Sequence, residues 1–168
     1  AIDSALPSGK VEGEGDWVLA LNDPADVAAL NHLTRADVAV EWLENGTVLV
    51  PQEAEAQVQA SATAFGVHFL PAPAGATGAP VEEVVVAAAA PQTELWALEE
   101  MGFTVRPVNS TVLNDGFDYS QVDALYVSSN LSWAALDPAA RNDLTSFLAN
   151  GGGFVGRGLT GVQLNNSL

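Results

Sequence analysis

The alternation of apolar and polar positions divides the first half of the chain into short strands and two helices. Four strands are predicted, at 17–21, 38–43, 47–50 and 67–70. One helix is predicted to begin at Asp23-Pro24, and the other spans 51–65. The resulting order over residues 16–71 is βαββαβ, which predicts a ferredoxin-like subdomain.

Capping and turn residues at the ends of these segments agree with the pattern. Asp23 is suited to cap the first helix, Pro24 fits its first position, and Asp26 adds a negative charge to its first turn. Asn45-Gly46 predicts a tight turn between the second and third strands. In the first half of the chain, the capping and turn residues therefore support the same helices and strands that the hydrophobic periodicity predicts.

A different pattern follows a proline- and alanine-rich segment at 72–80, which predicts a linker. Beyond it, apolar strands alternate with helices. The predicted strands lie at 84–89, 104–108, 124–128 and 153–156. Alternation of this kind over 81–168 predicts an α/β subdomain with a parallel, flavodoxin-like sheet. The sequence stops one element after the last strand, which is compatible with a sheet truncated at its C-terminal end. At the other end of the chain, residues 1–15 predict a flexible leader.

Composition limits the partners of the chain. The net charge is −16, with 21 acidic residues against five lysines and arginines. Such a chain repels phosphate backbones and anionic membrane surfaces, so we expect no nucleic-acid partner, and no apolar run is long enough for membrane insertion. The acidity fits a solubility adaptation, a secreted protein of a high-GC bacterium or a salt-tolerant host. The absence of cysteine excludes disulfides and thiolate catalysis.

Polar side chains follow two strands of the second half and form the candidate ligand-binding site. Ser128, Ser129 and Asn130 end one strand, and Arg157 and Thr160 follow the next. In a doubly wound sheet these strand ends lie side by side, where they could hold a carboxylate or a sugar hydroxyl. The alternative is that the serines and the asparagine only cap the loop and the next helix. A tryptophan in that loop, Trp133, is a further candidate for a binding surface.

The residues needed for catalysis or metal binding are not arranged in any recognisable pattern. His32 and His68 lack partners at metal-ligand spacing, and we expect both to be structural. A serine nucleophile needs a positioned base, and neither histidine is predicted near Ser128. The sequence therefore predicts no catalytic residue, no metal ligand and no cofactor in this chain.

Several segments of the second half carry a family resemblance. They are LWALEEMGF at 95–103, FDY at 117–119, LDP at 136–138 and GGGFVGRG at 151–158. These segments resemble the class I glutamine amidotransferase-like fold. The chain as a whole, over about 17–161, resembles the region that follows the catalytic domain of large secreted bacterial zinc carboxypeptidases, in which a segment similar to GTVLVP at 46–51 precedes the amidotransferase-like domain.

The resemblance implies an accessory domain without activity of its own. The amidotransferase nucleophile is a cysteine, and its position holds Arg157 or Gly158 here. The zinc motif His-x-x-Glu is absent as well, since Arg35 and Pro71 stand at the third position after the two histidines. The resemblance implies that this chain is a noncatalytic interaction domain of an extracellular zinc carboxypeptidase. Its partner is then the peptidase domain of the same polypeptide, which binds the zinc and lies N-terminal to this chain. Two alternatives stay open: a small-molecule or carbohydrate-binding module of the same fold, and a serine-dependent hydrolase.

Overall fold

The computed structural model describes residues 8–168 and divides the chain into two compact units, one ending at Glu83 and one from Val84 to Leu168. Both units combine helices with a sheet, which confirms the predicted α/β class. Residues 1–7 of the predicted leader lie outside the described residues. The rest of the leader includes a short strand, and the division into units comes a few residues after the predicted linker.

The first unit contains six strands and two α-helices among its described residues. In chain order they are β1 (Lys10–Val11), β2 (Trp17–Leu19), α1 (Pro24–Arg35), β3 (Glu41–Trp42), β4 (Val48–Val50), α2 (Glu55–Phe65), β5 (His68–Pro71) and β6 (Ala79–Pro80). A 3-10 turn at Gln52–Ala54 leads into α2.

The sheet of the first unit has the order β1-β5-β2-β4-β3-β6. Its pairs are antiparallel except for β1 with β5. In β2, Trp17 and Leu19 are buried while Val18 between them is partly exposed, because successive side chains of a strand point to opposite faces. The buried face packs against both helices, through residues such as Leu33 of α1 and Val58 of α2.

The predicted start of α1 is confirmed in atomic detail. The carboxylate of Asp23 accepts hydrogen bonds from the backbone N–H of Ala25 at 2.8 Å and of Asp26 at 3.3 Å. The Asp26 carboxylate in turn accepts from the Asp23 N–H at 3.1 Å, which completes a capping box, and Pro24 occupies the first turn. The backbone donors that every helix leaves unpaired at its start are thus satisfied locally.

The proline-rich segment ends in a strand of the first unit. Residues 72–78 form a largely exposed loop, after which β6 pairs with β3. The Glu41 carboxylate accepts from the Gly78 N–H at 2.7 Å, and the Val81 N–H donates to the Val40 carbonyl at 2.9 Å. These contacts extend the first sheet by a strand that the sequence did not predict.

The second unit alternates strands and helices. In chain order they are β7 (Val85–Ala89), α3 (Gln92–Glu100), β8 (Thr104–Pro107), α4 (Ser110–Asn114), β9 (Ala124–Val127), α5 (Pro138–Ala149), β10 (Gly153–Gly156) and α6 (Gly158–Asn165). The helix α4 has no counterpart among the predicted elements, and α6 is the element after the last strand, whose type the sequence did not predict.

All four strands of the second sheet are parallel, in the order β10-β9-β7-β8, which confirms the predicted parallel sheet. Val86 and Ala88 of β7 pack on the side of α3, against Leu95. The alternate residues Ala87 and Ala89 belong to the core on the other side. That core includes one leucine from each of α4, α5 and α6: Leu113, Leu144 and Leu164. Helices on both faces explain why β7 is apolar throughout.

The last helix lies unusually close to the last strand. A Cβ at Gly161 of α6 would come within 2.6 Å of Gly156 Cα and 2.9 Å of the Val127 carbonyl oxygen. These atoms are backbone and cannot rotate away. The glycine therefore sets the distance between α6 and the sheet.

We predict that Gly161→Ala destabilises the second unit. Helix propensity alone would favour alanine by about 0.5–1 kcal/mol, whereas forcing a methyl group into packed backbone typically costs about 1–3 kcal/mol. The net effect should be a loss of about 1–2 kcal/mol in the free energy of unfolding, measured by urea denaturation. Val162→Ala, at an exposed position of the same helix, is the control and should change stability by less than about 0.5 kcal/mol. A Gly161→Ala variant as stable as the wild type would contradict the close approach.

Candidate ligand site at the carboxyl edge of the second sheet

The carboxyl ends of β7, β9 and β10 meet at one edge of the second sheet. The register pairs Ala89 with Val127 and Val127 with Gly156. The Ser128 N–H donates to the Ala89 carbonyl at 2.9 Å, and the Arg157 N–H donates to the Val127 carbonyl at 2.8 Å. The two strand ends that carry Ser128 and Arg157 are therefore neighbours, as the parallel topology requires.

Gly156, Arg157 and Gly158 form the turn after β10, which we call the glycine turn. Its arginine is part of an ion pair with Glu94. The Arg157 guanidinium donates to one carboxylate oxygen of Glu94 at 2.6 Å, and the Tyr126 hydroxyl donates to the other at 2.7 Å. The Arg157 side chain is 66% exposed, and that of Glu94 is 25% exposed. The turn thus presents a cation whose partner is already in place.

The Glu94 carboxylate is held in its charged form. Hydroxyl groups near it, those of Ser128 and then Tyr126, lower the pKa of Glu94, and the Arg157 charge adds a smaller effect. The Ser128 oxygen does not reach hydrogen-bonding geometry with Glu94, so we consider Tyr126 the true donor and Ser128 a close polar neighbour. Burial raises the pKa of the Tyr126 hydroxyl, and its bond to Glu94 raises it further.

Two serine hydroxyls at this edge are buried without a partner among the described residues. They belong to Ser128 and Ser129, whose backbone N–H groups both donate to the Ala89 carbonyl. The proton acceptor near Ser128 is Glu94, and a carboxylate with a lowered pKa is a weak base. The second unit contains no histidine, because His32 and His68 both belong to the first.

Asn130 is held in a strained conformation next to these serines. Its φ is 59°, in the left-handed region that non-glycine residues seldom adopt. Its side-chain amide donates to the Ala90 carbonyl at 3.2 Å, and its own carbonyl accepts from the Ser110 N–H at 3.2 Å. These bonds hold the loop after β9 against the ends of β7 and β8.

Asn130 and Thr160 are brought together in a groove of about 510 Å³, which we call the uncharged groove. Its walls include hydroxyl and amide side chains and one indole: Ser110, Asn130, Ser132, Trp133, Thr160 and Gln163. None of the described residues that line it is charged. Ser128, Ser129 and Arg157 do not line this groove, so the five predicted site residues fall into two groups.

The sequence did not predict the roles of Glu94 and Gln163. Glu94 lies in the first turn of α3, where an acidic residue is ordinary, and its partners are 32 and 63 positions away. Gln163 lies on a helix that was not predicted. A signal for Glu94 was nonetheless present, since a polar tyrosine at 126 within an apolar strand needs a hydrogen-bond partner once it is packed.

A second cavity, of about 650 Å³, lies at the opposite, amino edge of the same sheet. Tyr119 stacks on Phe147 there with ring centroids 4.9 Å apart, and Asp118, Asp123 and Asp143 stand around them. Burial, with Asp143 nearby, raises the pKa of Tyr119 to about 12. The Asp118 carboxylate accepts from the Ser120 N–H of its own turn, and the Asp123 carboxylate accepts from the Val85 N–H at the start of β7.

Comparisons with protein-family models, with curated proteins and with solved structures gave no match. Within residues 8–168, no group of three or more acidic or histidine side chains is arranged to hold a metal ion. Over the same residues, no helix combines the length and the apolar character needed to cross a membrane.

We predict that Tyr126→Phe raises the pKa of Glu94 toward its ordinary value, because the variant removes a hydroxyl that donates to the carboxylate. The chemical shift of the Glu94 carboxyl carbon, followed by NMR across the acid range, measures the pKa. Tyr119→Phe removes a hydroxyl elsewhere in the unit and should leave the pKa of Glu94 unchanged. An unchanged pKa in Tyr126→Phe would contradict the proposed contact.

The same shift links Glu94 to stability. A carboxyl whose pKa is lower in the folded protein than in the unfolded chain stabilises the fold above its ordinary pKa. That contribution is lost as the pH falls through the lowered value of the folded state. Tyr126→Phe should reduce this acid-dependent part of the stability.

Proposed function

We propose that the chain is a noncatalytic accessory segment of a larger secreted protein, made of a ferredoxin-like unit and a flavodoxin-like, amidotransferase-like unit. Strand order supports both fold names. The four strands of the βαββαβ segment are β2, β3, β4 and β5, and they lie in the order fourth, first, third, second. In the second unit the order is second, first, third, fourth, as in the first four strands of the flavodoxin-like arrangement.

The observation that carries the noncatalytic proposal is the ion pair at the glycine turn. An acyl-transfer site of this architecture presents a nucleophile at such a turn, with a base beside it. Here the turn presents Arg157, which neither attacks a carbonyl nor accepts a proton, and Glu94 holds its guanidinium at 2.6 Å.

A serine-dependent hydrolase is poorly supported by the same geometry. Ser128 and Ser129 have buried hydroxyl oxygens, whereas a nucleophile must be open to its substrate. The carboxylate next to Ser128 is already engaged by Tyr126 and Arg157, and its lowered pKa makes it a weak proton acceptor.

The identity of the larger protein rests on the family resemblance alone. The resemblance implies that the larger protein is an extracellular zinc carboxypeptidase that hydrolyses C-terminal peptide bonds. The zinc is then bound by a catalytic domain N-terminal to this chain. In that arrangement the two α/β units contribute contacts or stability to the peptidase.

A small-molecule or carbohydrate-binding module is the second candidate. The observation that favours it is the uncharged groove, which brings Asn130 and Thr160 together beside Trp133 at the carboxyl edge of a parallel sheet.

We predict that the isolated chain shows no turnover of C-terminal peptide, ester or glutamine substrates, with or without added zinc. The reason is that the hydroxyls of Ser128 and Ser129 are buried without a partner among the described residues, and the carboxylate next to Ser128 is engaged by Tyr126 and Arg157. Product formation measured by mass spectrometry tests the prediction. Turnover that is lost in Ser128→Ala or Ser129→Ala but kept in Ser146→Ala, an exposed serine of α5, would contradict it.

The parent enzyme has a test of its own. We expect the gene to encode, upstream of Ala1, a peptidase domain with the zinc motif His-x-x-Glu and a distant histidine. A catalytic domain of another class at that place would contradict the carboxypeptidase assignment.

A further inference from the structure

We propose that the uncharged groove is a binding site for a neutral saccharide, with Thr160, Gln163 and Asn130 as its polar contacts and Trp133 as its apolar wall. The proposal names a ligand class for the second candidate function. It does not depend on the identity of the parent enzyme or on the absence of catalysis.

The hydrogen-bonding groups of the groove match those of a sugar. A sugar hydroxyl both donates and accepts, and the groove offers groups that do the same, namely the hydroxyls of Ser132 and Thr160 and the amide of Gln163. Its volume of about 510 Å³ lies within the range of small-molecule sites, about 300–1,000 Å³.

The lack of charge in the groove is the second argument. The chain carries 21 acidic residues, yet none of those in residues 8–168 lines the groove, and no lysine or arginine of that range lines it either. A carboxylate, phosphate or ammonium ligand needs an opposite charge once it leaves water. A neutral polyhydroxyl ligand needs only hydrogen-bond partners.

Two contacts with Arg141 hold Trp133 in place beside the groove. The Arg141 guanidinium carbon lies 5.3 Å from the indole centroid, and its Nε donates to the Trp133 carbonyl at 3.1 Å. Arg141 itself is not part of the groove wall. The indole is thus partly buried and fixed, and it offers the apolar surface on which the C–H face of a sugar ring packs.

The backbone that carries the groove walls is held by the fold before any ligand arrives. Thr160 and Gln163 are three positions apart on α6 and share one side of the helix. Gly161 lets that helix approach the sheet, and hydrogen bonds to Ala90 and Ser110 lock Asn130. A site that is already ordered loses less conformational entropy on binding.

The test is a titration of the full chain with a panel of neutral sugars: glucose, galactose, N-acetylglucosamine, maltose, cellobiose and chitobiose. Glucuronic acid and glucosamine serve as charged counterparts. Two-dimensional NMR follows the side-chain amides of Asn130 and Gln163 and the indole N–H of Trp133. We expect saturable shifts of these signals with at least one neutral sugar, at an affinity that hardly changes between low and high salt.

The variants Thr160→Val and Gln163→Leu should weaken that binding by about tenfold each, because each leaves a sugar hydroxyl unpaired. Both positions are on the helix surface or partly exposed, so the fold should persist, and the amide spectrum checks this. Asn165→Leu is the matched control, since it replaces an exposed amide on the same helix outside the groove, and it should leave binding unchanged.

Three results would overturn the proposal: no saturable shift with any neutral sugar of the panel, preference for a charged sugar with strong salt dependence, or equal weakening by Asn165→Leu and Gln163→Leu. Turnover of any substrate would count against the noncatalytic proposal and leave this one standing. The two proposals therefore fail separately.

Discussion

The parallel pairing of β9 with both β7 and β10 is the constraint on which the second unit depends. Because the three strands run in one direction, the residues that follow them share a single edge. Arg157 is far in the sequence from Ser128 and Asn130 and shares an edge with them because of this pairing. Parallel strands also require crossover connections, and one of these, the helix α3, carries Glu94. Thr160 and Gln163 lie on α6, which follows the last strand.

The carboxyl edge holds two chemically different regions. In one, Glu94 accepts hydrogen bonds from the Arg157 guanidinium and from the Tyr126 hydroxyl, so the charge of Arg157 is compensated. In the other, hydroxyls, amides and an indole line an open groove without any charge. The noncatalytic proposal rests on the first region, and the proposal of a ligand site rests on the second. The strained backbone of Asn130 lies between them and ties the ends of three strands together.

Local signals in the sequence predicted the elements that local chemistry determines. The Asp23 cap and the Asn45-Gly46 turn rely on near neighbours, and both are confirmed. The strands β1 and β6 have two residues each and exist only through pairing with distant strands, so periodicity could not reveal them. The helix α6 carries two glycines, which argue against a helix until the close approach to β10 explains Gly161. The Glu94 ion pair likewise depends on tertiary structure.

The central claim is that Arg157 at the glycine turn is engaged by Glu94, with Tyr126 as the second donor. Nuclear Overhauser effects between these three side chains test it most directly, because they report proximity without any substitution. The account predicts cross-peaks from the Tyr126 ring to the Glu94 side chain and from Glu94 to the Arg157 side chain. A spectrum in which Arg157 shows contacts only within its own turn, while Tyr126 and Glu94 share none, would contradict it.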